Sequence, residues 1–188
     1  MIKRTMAFLL AAVVLLCGVP ASALRQSSSG GSENLAYGKR VWASSEYESE
    51  VYQSPKLVDG DPATGWSSAG VPPHWFCVDL GREYVITSVE LVTRQDYNQP
   101  ETRQNFEVRA SNDSTFSSYT VLGRQGMESV GYQENFVANV VDENPYRYIQ
   151  VAKTDSAYFF MSELMVYGRE ATDSGDLKTP PSYSDMAG

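Results

Sequence analysis

The sequence has little of what cross-links and histidine-based sites require. It contains two cysteines and one histidine in 188 residues. Cys17 lies in an N-terminal segment with the features of a cleaved signal peptide, so Cys77 alone would remain and no internal disulfide could form. One histidine excludes a zinc site built on a histidine cluster. Stability must therefore come from a packed core or a bound ion.

Catalytic motifs are also missing. No serine has the glycine arrangement of a nucleophile elbow, and no glycine-rich loop could cradle a phosphate. Asp59 and Asp61 are paired carboxylates, but they lie two residues apart in one turn. This spacing suits a cation better than the opposite faces of a sugar ring in glycoside hydrolysis. The sequence therefore predicts that the protein is not an enzyme.

Long apolar runs are confined to the N-terminus. Lys3 and Arg4 precede an apolar run from Met6 to Val19, and Ala21-Ser22-Ala23 supplies the small residues that a signal peptidase recognises. The run is too short to span a bilayer comfortably. We therefore expect a signal peptide over residues 1–23 and a secreted, extracellular protein. An N-terminal membrane anchor is the alternative.

The charge balance restricts the partners. The net charge is -8, and removal of the N-terminal segment would take away basic residues only. Such an acidic surface repels nucleic acid and anionic lipid, so we expect neither nucleic acid nor membrane lipid as the main partner. The charge is compatible with a site for a neutral sugar or a divalent cation.

Composition divides the chain. Residues 24–33 are rich in serine and glycine and predict a flexible linker, and residues 171–188 lack periodicity and predict a disordered tail. Residues 34–170 would form one domain. Within it, short runs such as Phe106 to Ala110 alternate apolar and polar residues, and polar turn clusters separate the runs. This pattern predicts an antiparallel β-sandwich or jelly roll.

Seven segments of the predicted domain carry a family resemblance through their order and spacing. They are Asn34-Leu35-Ala36, Leu57 to Ser68, His74 to Gly81, Thr87 to Leu91, Phe106 to Asp113, Tyr146 to Val151 and Ser162 to Gly168. Together they resemble the coagulation factor 5/8 type C (discoidin) family of galactose-binding-like domains. The resemblance implies an all-β fold, an antiparallel eight-stranded jelly-roll β-sandwich. Its members bind sugars, phospholipid head groups or proteins through loops at one end, and the cysteine pair of many animal members is missing here.

The turn Asp59-Gly60-Asp61 offers hard oxygen ligands of the kind that Ca²⁺ prefers. The resemblance to calcium-binding relatives, such as the fucose-binding F-type lectins, adds a glutamate from the last strand, here Glu163. It implies a structural Ca²⁺ with the following ligands: backbone oxygens of Lys56, Asp61 and Ser162, the side chains of Asp59 and Glu163, and one oxygen from Ser67 or Ser68. The alternative is a plain turn and a surface glutamate.

Arg94 and Asp96 follow a predicted strand and resemble the Arg-x-Asp motif of F-type lectins. The rigid guanidinium fork can bond two sugar hydroxyls at once. The resemblance implies Arg103 as the second arginine. The only histidine, His74, is the remaining candidate for ligand binding, although it lies beside a strand rather than in the earlier loop of those lectins; a structural or merely exposed histidine is the alternative. The alternative for both arginines is a salt bridge at the strand end.

Aromatic residues complete the predicted site. Trp42, Tyr47 and Tyr97 could supply a stacking face for a sugar ring. We therefore expect a calcium-stabilised lectin that binds a carbohydrate, with a neutral glycan such as galactose as ligand. The alternative is an extracellular adhesion or matrix protein that binds a protein partner.

Overall fold

The computed structural model describes residues 33–47 and 50–171. The predicted signal peptide, all but the last residue of the predicted linker and the predicted tail beyond Ala171 lie outside the described residues. Within those two ranges, no helix has the length and apolar character needed to cross a membrane.

The described residues form nine strands and two short 3-10 helices. The strands are β1 (Arg40–Ala43), β2 (Trp66–Ser67), β3 (Trp75–Val92), β4 (Phe106–Ser111), β5 (Thr120–Gln125), β6 (Asn135–Asn139), β7 (Pro145–Lys153), β8 (Phe160–Met161) and β9 (Glu163–Glu170). The 3-10 helices span Ser54–Val58 and Pro100–Arg103. Every strand pairing is antiparallel, which confirms the predicted all-β class.

The long strand β3 connects two layers. Its first half pairs with β1 and β7, and β7 continues to β4 and β5. Its second half pairs with β6 on one side and β9 on the other. The register with β7 shifts between Asp79 and Tyr84, where Gly81 has a φ of +89°. Glycine takes up this left-handed conformation without a Cβ clash, so the strand bends there without ending.

The core lies between the two layers and is rich in aromatic rings. Trp66 packs edge-on against Phe76 with centroids 5.3 Å apart, and Phe106 and Phe159 lie 5.7 Å apart. Cys77 is fully buried in β3, and burial raises the pKa of its thiol. The protein is thus held together by packed apolar surface, which suits a domain with one free cysteine in its described residues.

Loops from distant parts of the sequence meet at β2 and β8. The Trp66 indole donates a hydrogen bond to the carbonyl of Ser45, and the Tyr47 amide donates to the carbonyl of Ser67. The amide of Ser68 donates to the carbonyl of Phe159. These bonds gather the segment after β1, the β2 segment and the segment before β8 around one surface.

Candidate functional site

Arg94 and Asp96 form a two-pronged ion pair just beyond the end of β3. The Arg94 Nε lies 2.7 Å from Asp96 Oδ1, and its Nη2 lies 3.2 Å from Asp96 Oδ2. The guanidinium also lies over the ring of Phe160, with Cζ 4.8 Å from the ring centroid. The pair raises the pKa of Arg94 and lowers the pKa of Asp96. The guanidinium is therefore held in one orientation before any ligand arrives.

Arg94 opens into a cleft of about 360 Å³. Its walls are four aromatic rings and four polar side chains: Tyr47, Tyr52, Tyr158 and Phe160, with Ser67, Arg94, Gln99 and Thr102. Tyr47 and Tyr158 are about half exposed, so their rings are available to a ligand. Apolar ring faces beside a few placed polar groups are the usual composition of a small-ligand site.

A second hollow of about 440 Å³ adjoins this cleft. The two share Tyr52 and Phe160, whose rings meet edge-on with centroids 5.6 Å apart. Arg94 lines the first hollow and Asp96 lines the second, together with Pro62, Ala63 and Thr64. We call the two hollows together the groove. The rings of Tyr52 and Phe160 lie between its two parts, and the Arg94–Asp96 ion pair contributes one residue to each part.

Arg103 lies outside the lining of the groove. It is 2% exposed, and its Nε and Nη2 donate to the Val130 carbonyl at 2.9 Å and to Asn98 Oδ1 at 2.8 Å. Its Nη1 has no hydrogen-bond partner among the described residues. Arg103 therefore ties the segment between β3 and β4 to the loop before β6, and its neighbour Thr102 is the residue that reaches the groove.

His74 is likewise buried, at 1% exposure, and does not line the groove. Neither ring nitrogen has a hydrogen-bond partner among the described residues. Burial lowers the pKa of His74, and the nearby backbone of Ser156 opposes that shift. The neutral form of the imidazole is therefore favoured. Of the four residues predicted to bind ligand, the structure places Arg94 and Asp96 at the groove and Arg103 and His74 away from it.

Lys153 supports the groove from behind. Its Nζ donates to the carbonyls of Glu101 at 2.5 Å and Gln104 at 2.6 Å, and it lies 3.3 Å from Asp155 Oδ1. These bonds hold the 3-10 helix Pro100–Arg103, which carries Thr102. Lys153 is the last residue of β7, and sequence reasoning missed its role. It also missed Tyr52, Gln99, Thr102, Tyr158 and Phe160, which only the fold brings together.

Glu163, the first residue of β9, contacts the acidic turn. It is 3% exposed, and its Oε1 accepts a hydrogen bond from the Gly60 amide at 3.0 Å. Its Oε2 is buried without a partner among the described residues. Burial, with the charges of Asp59 and Asp61, raises the pKa of Glu163 to about 7, although the Gly60 bond acts in the opposite direction. A buried carboxylate oxygen with no donor is what a cation would satisfy.

The turn itself is closed by its own hydrogen bonds. Asp59 Oδ1 accepts from the Asp61 amide at 2.9 Å, and Asp59 Oδ2 accepts from Thr64 Oγ1 at 3.0 Å. Gly60 has a φ of +81°, and a Cβ there would lie 2.9 Å from the Tyr37 ring, so only glycine fits. No group of three or more His, Cys, Asp or Glu side chains in residues 33–47 and 50–171 is arranged to hold a metal ion. A cation here would depend on backbone and hydroxyl oxygens as well.

Among the other predicted metal ligands, Lys56 and Ser162 adjoin the acidic turn and Glu163 in the sequence, whereas Ser67 and Ser68 make contacts elsewhere. Lys56 belongs to the 3-10 helix that leads into the turn, and Ser162 directly precedes Glu163 and is 2% exposed. Ser68 is fully buried, with its Oγ accepting from the Phe159 amide at 3.1 Å. Ser67 lines the groove. Among the predicted metal ligands, the structure thus brings Glu163 and the acidic turn together through the Gly60 hydrogen bond.

Residues 40–163 match the family model of the F5/8 type C domain. The chain belongs to this family. The match spans more than half of the chain and confirms the resemblance seen in the seven segments. No curated protein matches the sequence.

Three solved structures illustrate the shared fold. The lectin domain of lectinolysin, complexed with Lewis B antigen, is 25% identical, with 74% of this chain and 98% of that chain covered and a TM-score of 0.61. Chitosan-binding module 1 of a chitosanase/glucanase from Paenibacillus sp. IK-5 is 24% identical over 72% of this chain and 99% of that chain, with a TM-score of 0.58. A fucolectin from striped bass (Morone saxatilis) serum is 18% identical over 74% of this chain and 50% of that chain, with a TM-score of 0.67. The last two likenesses show the fold alone.

Proposed function

We propose that this F5/8 type C domain is a secreted, non-catalytic carbohydrate-binding module that takes a neutral glycan into the groove. The observation that carries the proposal is the Arg94–Asp96 fork stacked on Phe160 inside an aromatic-walled groove. The similarity to the lectin domain of lectinolysin supports it. Secretion is supported by the basic start and short apolar run of the N-terminal sequence.

Each part of the groove has a separate task in this proposal. The Arg94 guanidinium donates hydrogen bonds to ring hydroxyls, and Asp96 keeps the fork aligned and accepts from a hydroxyl on its exposed side. The rings of Tyr47 and Tyr158 provide apolar faces for the C–H side of a sugar. Two adjoining hollows that share Tyr52 and Phe160 in their lining suit a ligand of at least two sugar units.

We also propose a structural Ca²⁺ between the acidic turn and β9. Asp59 and Glu163 would supply carboxylate oxygens, and backbone carbonyls of the turn would complete the oxygen set. The support is the buried, unpartnered Glu163 Oε2 beside two further carboxylates. The ion would neutralise this cluster and fix the segment Pro62–Thr64 that lines the second hollow.

A glycan array of the chain from Leu24 onward, run with calcium and again with chelator, tests the proposed function. We expect binding to one class of neutral glycan that is stronger with calcium. Absence of binding by a folded sample would contradict the proposal and favour a protein partner. The variant Arg94→Ala should lose the array signal while keeping the melting temperature of the wild type within a few degrees.

A further inference from the structure

The outer face of the layer containing β1, β3 and β7 carries a second cluster of arginine and aromatic side chains. Arg40 lies opposite Asp79, which lies opposite Tyr148. Trp42 lies opposite Cys77 in the next row. Neighbouring positions on these strands, such as Val78 and Ile149, point into the core, so the alternation of strand residues directs this cluster outward.

These side chains line an open hollow of about 450 Å³. Its lining is Arg40, Trp42, Asp79, Ser114, Arg147 and Tyr148. The rings of Trp42 and Tyr148 meet at 76° with centroids 6.2 Å apart and form an apolar corner. A guanidinium lies over each ring: Arg40 Cζ is 5.6 Å from the centroid of the Trp42 ring, and Arg147 Cζ is 5.1 Å from the centroid of the Tyr148 ring. None of these residues lines the groove.

The positive charge of this hollow is only partly neutralised. Arg147 donates two hydrogen bonds to Asp79, at 2.8 and 2.9 Å, and this pair lowers the pKa of the Asp79 carboxyl. Arg40 is exposed, and no carboxylate of the described residues lies within 4.0 Å of its guanidinium. Its donors therefore face solvent at the rim of the hollow.

The excess of positive charge continues along the same face. Arg109 and Arg124 share one carboxylate, Glu107, at 2.8 and 3.3 Å. Arg109 also lies over the ring of Tyr119, with Cζ 4.5 Å from the centroid. Four guanidinium groups thus face two carboxylates on one sheet surface of a protein whose net charge is -8. A local basic surface on an acidic protein selects a ligand with an isolated negative group.

We propose that this hollow is a second binding site that takes a carboxylate-bearing saccharide, such as a uronic acid unit. The carboxylate pairs with the planar fork of Arg40, which matches a carboxylate in two hydrogen bonds. The sugar ring rests in the corner formed by Trp42 and Tyr148, and Ser114 offers a hydroxyl to the ring. An open hollow of about 450 Å³ with two aromatic rings on its wall has room for one or two sugar rings.

Calorimetric titration of the chain with trigalacturonic acid, and with its uncharged methyl ester, tests this site. We expect the acid to bind and the ester to bind at least about tenfold more weakly, because the charge-assisted hydrogen bonds are lost. Binding of the acid should weaken as salt is added. The variant Arg40→Gln should weaken binding of the acid about tenfold, and Arg40→Lys, which keeps the charge but loses the fork, should fall between the two.

Two controls make the result specific. Arg82 is an exposed arginine that also lies over a tyrosine ring, 5.2 Å from the centroid of Tyr84, so Arg82→Gln should leave binding of the acid unchanged. Arg94→Ala should also leave it unchanged, because the groove is separate from this hollow. Equal binding of acid and ester, unchanged binding in Arg40→Gln, or no binding of the acid would overturn the proposal. Equally tight, Arg40-dependent binding of polyglutamate would overturn the saccharide assignment in favour of an acidic peptide.

Discussion

Glu163 and Gly60 are 103 positions apart in the sequence and are joined by a hydrogen bond of 3.0 Å from the Gly60 amide to Glu163 Oε1. This bond fixes the acidic turn against the start of β9. It leaves Oε2 buried without a partner among the described residues, next to the charges of Asp59 and Asp61. Burial of a carboxylate in such surroundings is unfavourable unless it is protonated or paired with a cation.

The first prediction concerns calcium. Millimolar Ca²⁺ should raise the melting temperature of the wild-type domain, because the ion binds the folded chain and not the unfolded one. Asp59→Ala should abolish this rise, since it removes a carboxylate from the cluster. Differential scanning calorimetry with calcium and with chelator measures the difference.

Asp113→Ala is the matched control for that measurement. Asp113 also organises an exposed turn, accepting bonds from the Thr115 amide at 2.9 Å and from Thr115 Oγ1 at 2.8 Å, but it belongs to a different loop. Its replacement should lower the melting temperature and keep the calcium-dependent rise. A rise that persists in Asp59→Ala would show that the ion binds elsewhere.

The second prediction concerns pH in the absence of calcium. The pKa of Glu163 is about 7 in the folded protein against 4.5 as its ordinary value, so the folded state keeps this proton longer than the unfolded state. The protonated Glu163 therefore adds to the free energy of unfolding below about pH 4.5, and this stabilisation is lost as the pH rises through about 7. Relative to Glu163→Gln, the wild type should lose on the order of 2–3 kcal/mol of unfolding free energy between about pH 5 and 8.

Comparison with Glu163→Gln is needed because His74 titrates in the same range. Its folded pKa is lowered, so its contribution is present above its ordinary value of 6.5 and is lost on acidification. The effect of His74 on the pH dependence of stability is the same in the wild type and in Glu163→Gln, so it cancels when the two unfolding free energies are subtracted. Urea denaturation at several pH values in chelator provides the data, and parallel pH profiles would contradict the assignment to Glu163.

The third prediction concerns Lys153 as a positioning residue. Lys153→Met should lower the free energy of unfolding by about 2–4 kcal/mol, because the carbonyls of Glu101 and Gln104 lose their buried donor. It should also weaken glycan binding, because the 3-10 helix that presents Thr102 loosens. A purely structural role would lower stability and leave the affinity of the remaining folded protein unchanged.

The sequence predicted the architecture well because strand alternation and turn residues are local signals. The predicted run Phe106 to Ala110 and the segment Tyr146 to Val151 correspond closely to β4 and β7. Prediction was less accurate where a glycine interrupts a strand. The segments on either side of Gly81 were separate in the sequence pattern, and the structure joins them in β3 because the glycine bends the strand without ending it.

The site was predictable only in part. Arg94 and Asp96 form one short motif and lie together at the groove. Arg103 has the right residue type but is buried, and its hydrogen bond to Val130 joins segments 27 positions apart, which no local pattern reveals. Tyr52 and Phe160 are more than 100 positions apart, and Phe160 is held in place by the pairing of β8 with β2. Trp42, expected at the sugar site, lies instead on the outer face of the sheet beside Tyr148.

The central claim is that the groove around Arg94 binds a neutral glycan, and calorimetric titration with the strongest array ligand tests it most directly. Wild type, Arg94→Ala and the control Arg82→Ala should be titrated in calcium. We predict that Arg94→Ala weakens binding at least about tenfold, because it removes the charged donor fork, and that Arg82→Ala binds as the wild type does. Equal affinity in Arg94→Ala and the wild type would contradict the account and place the ligand elsewhere on the domain.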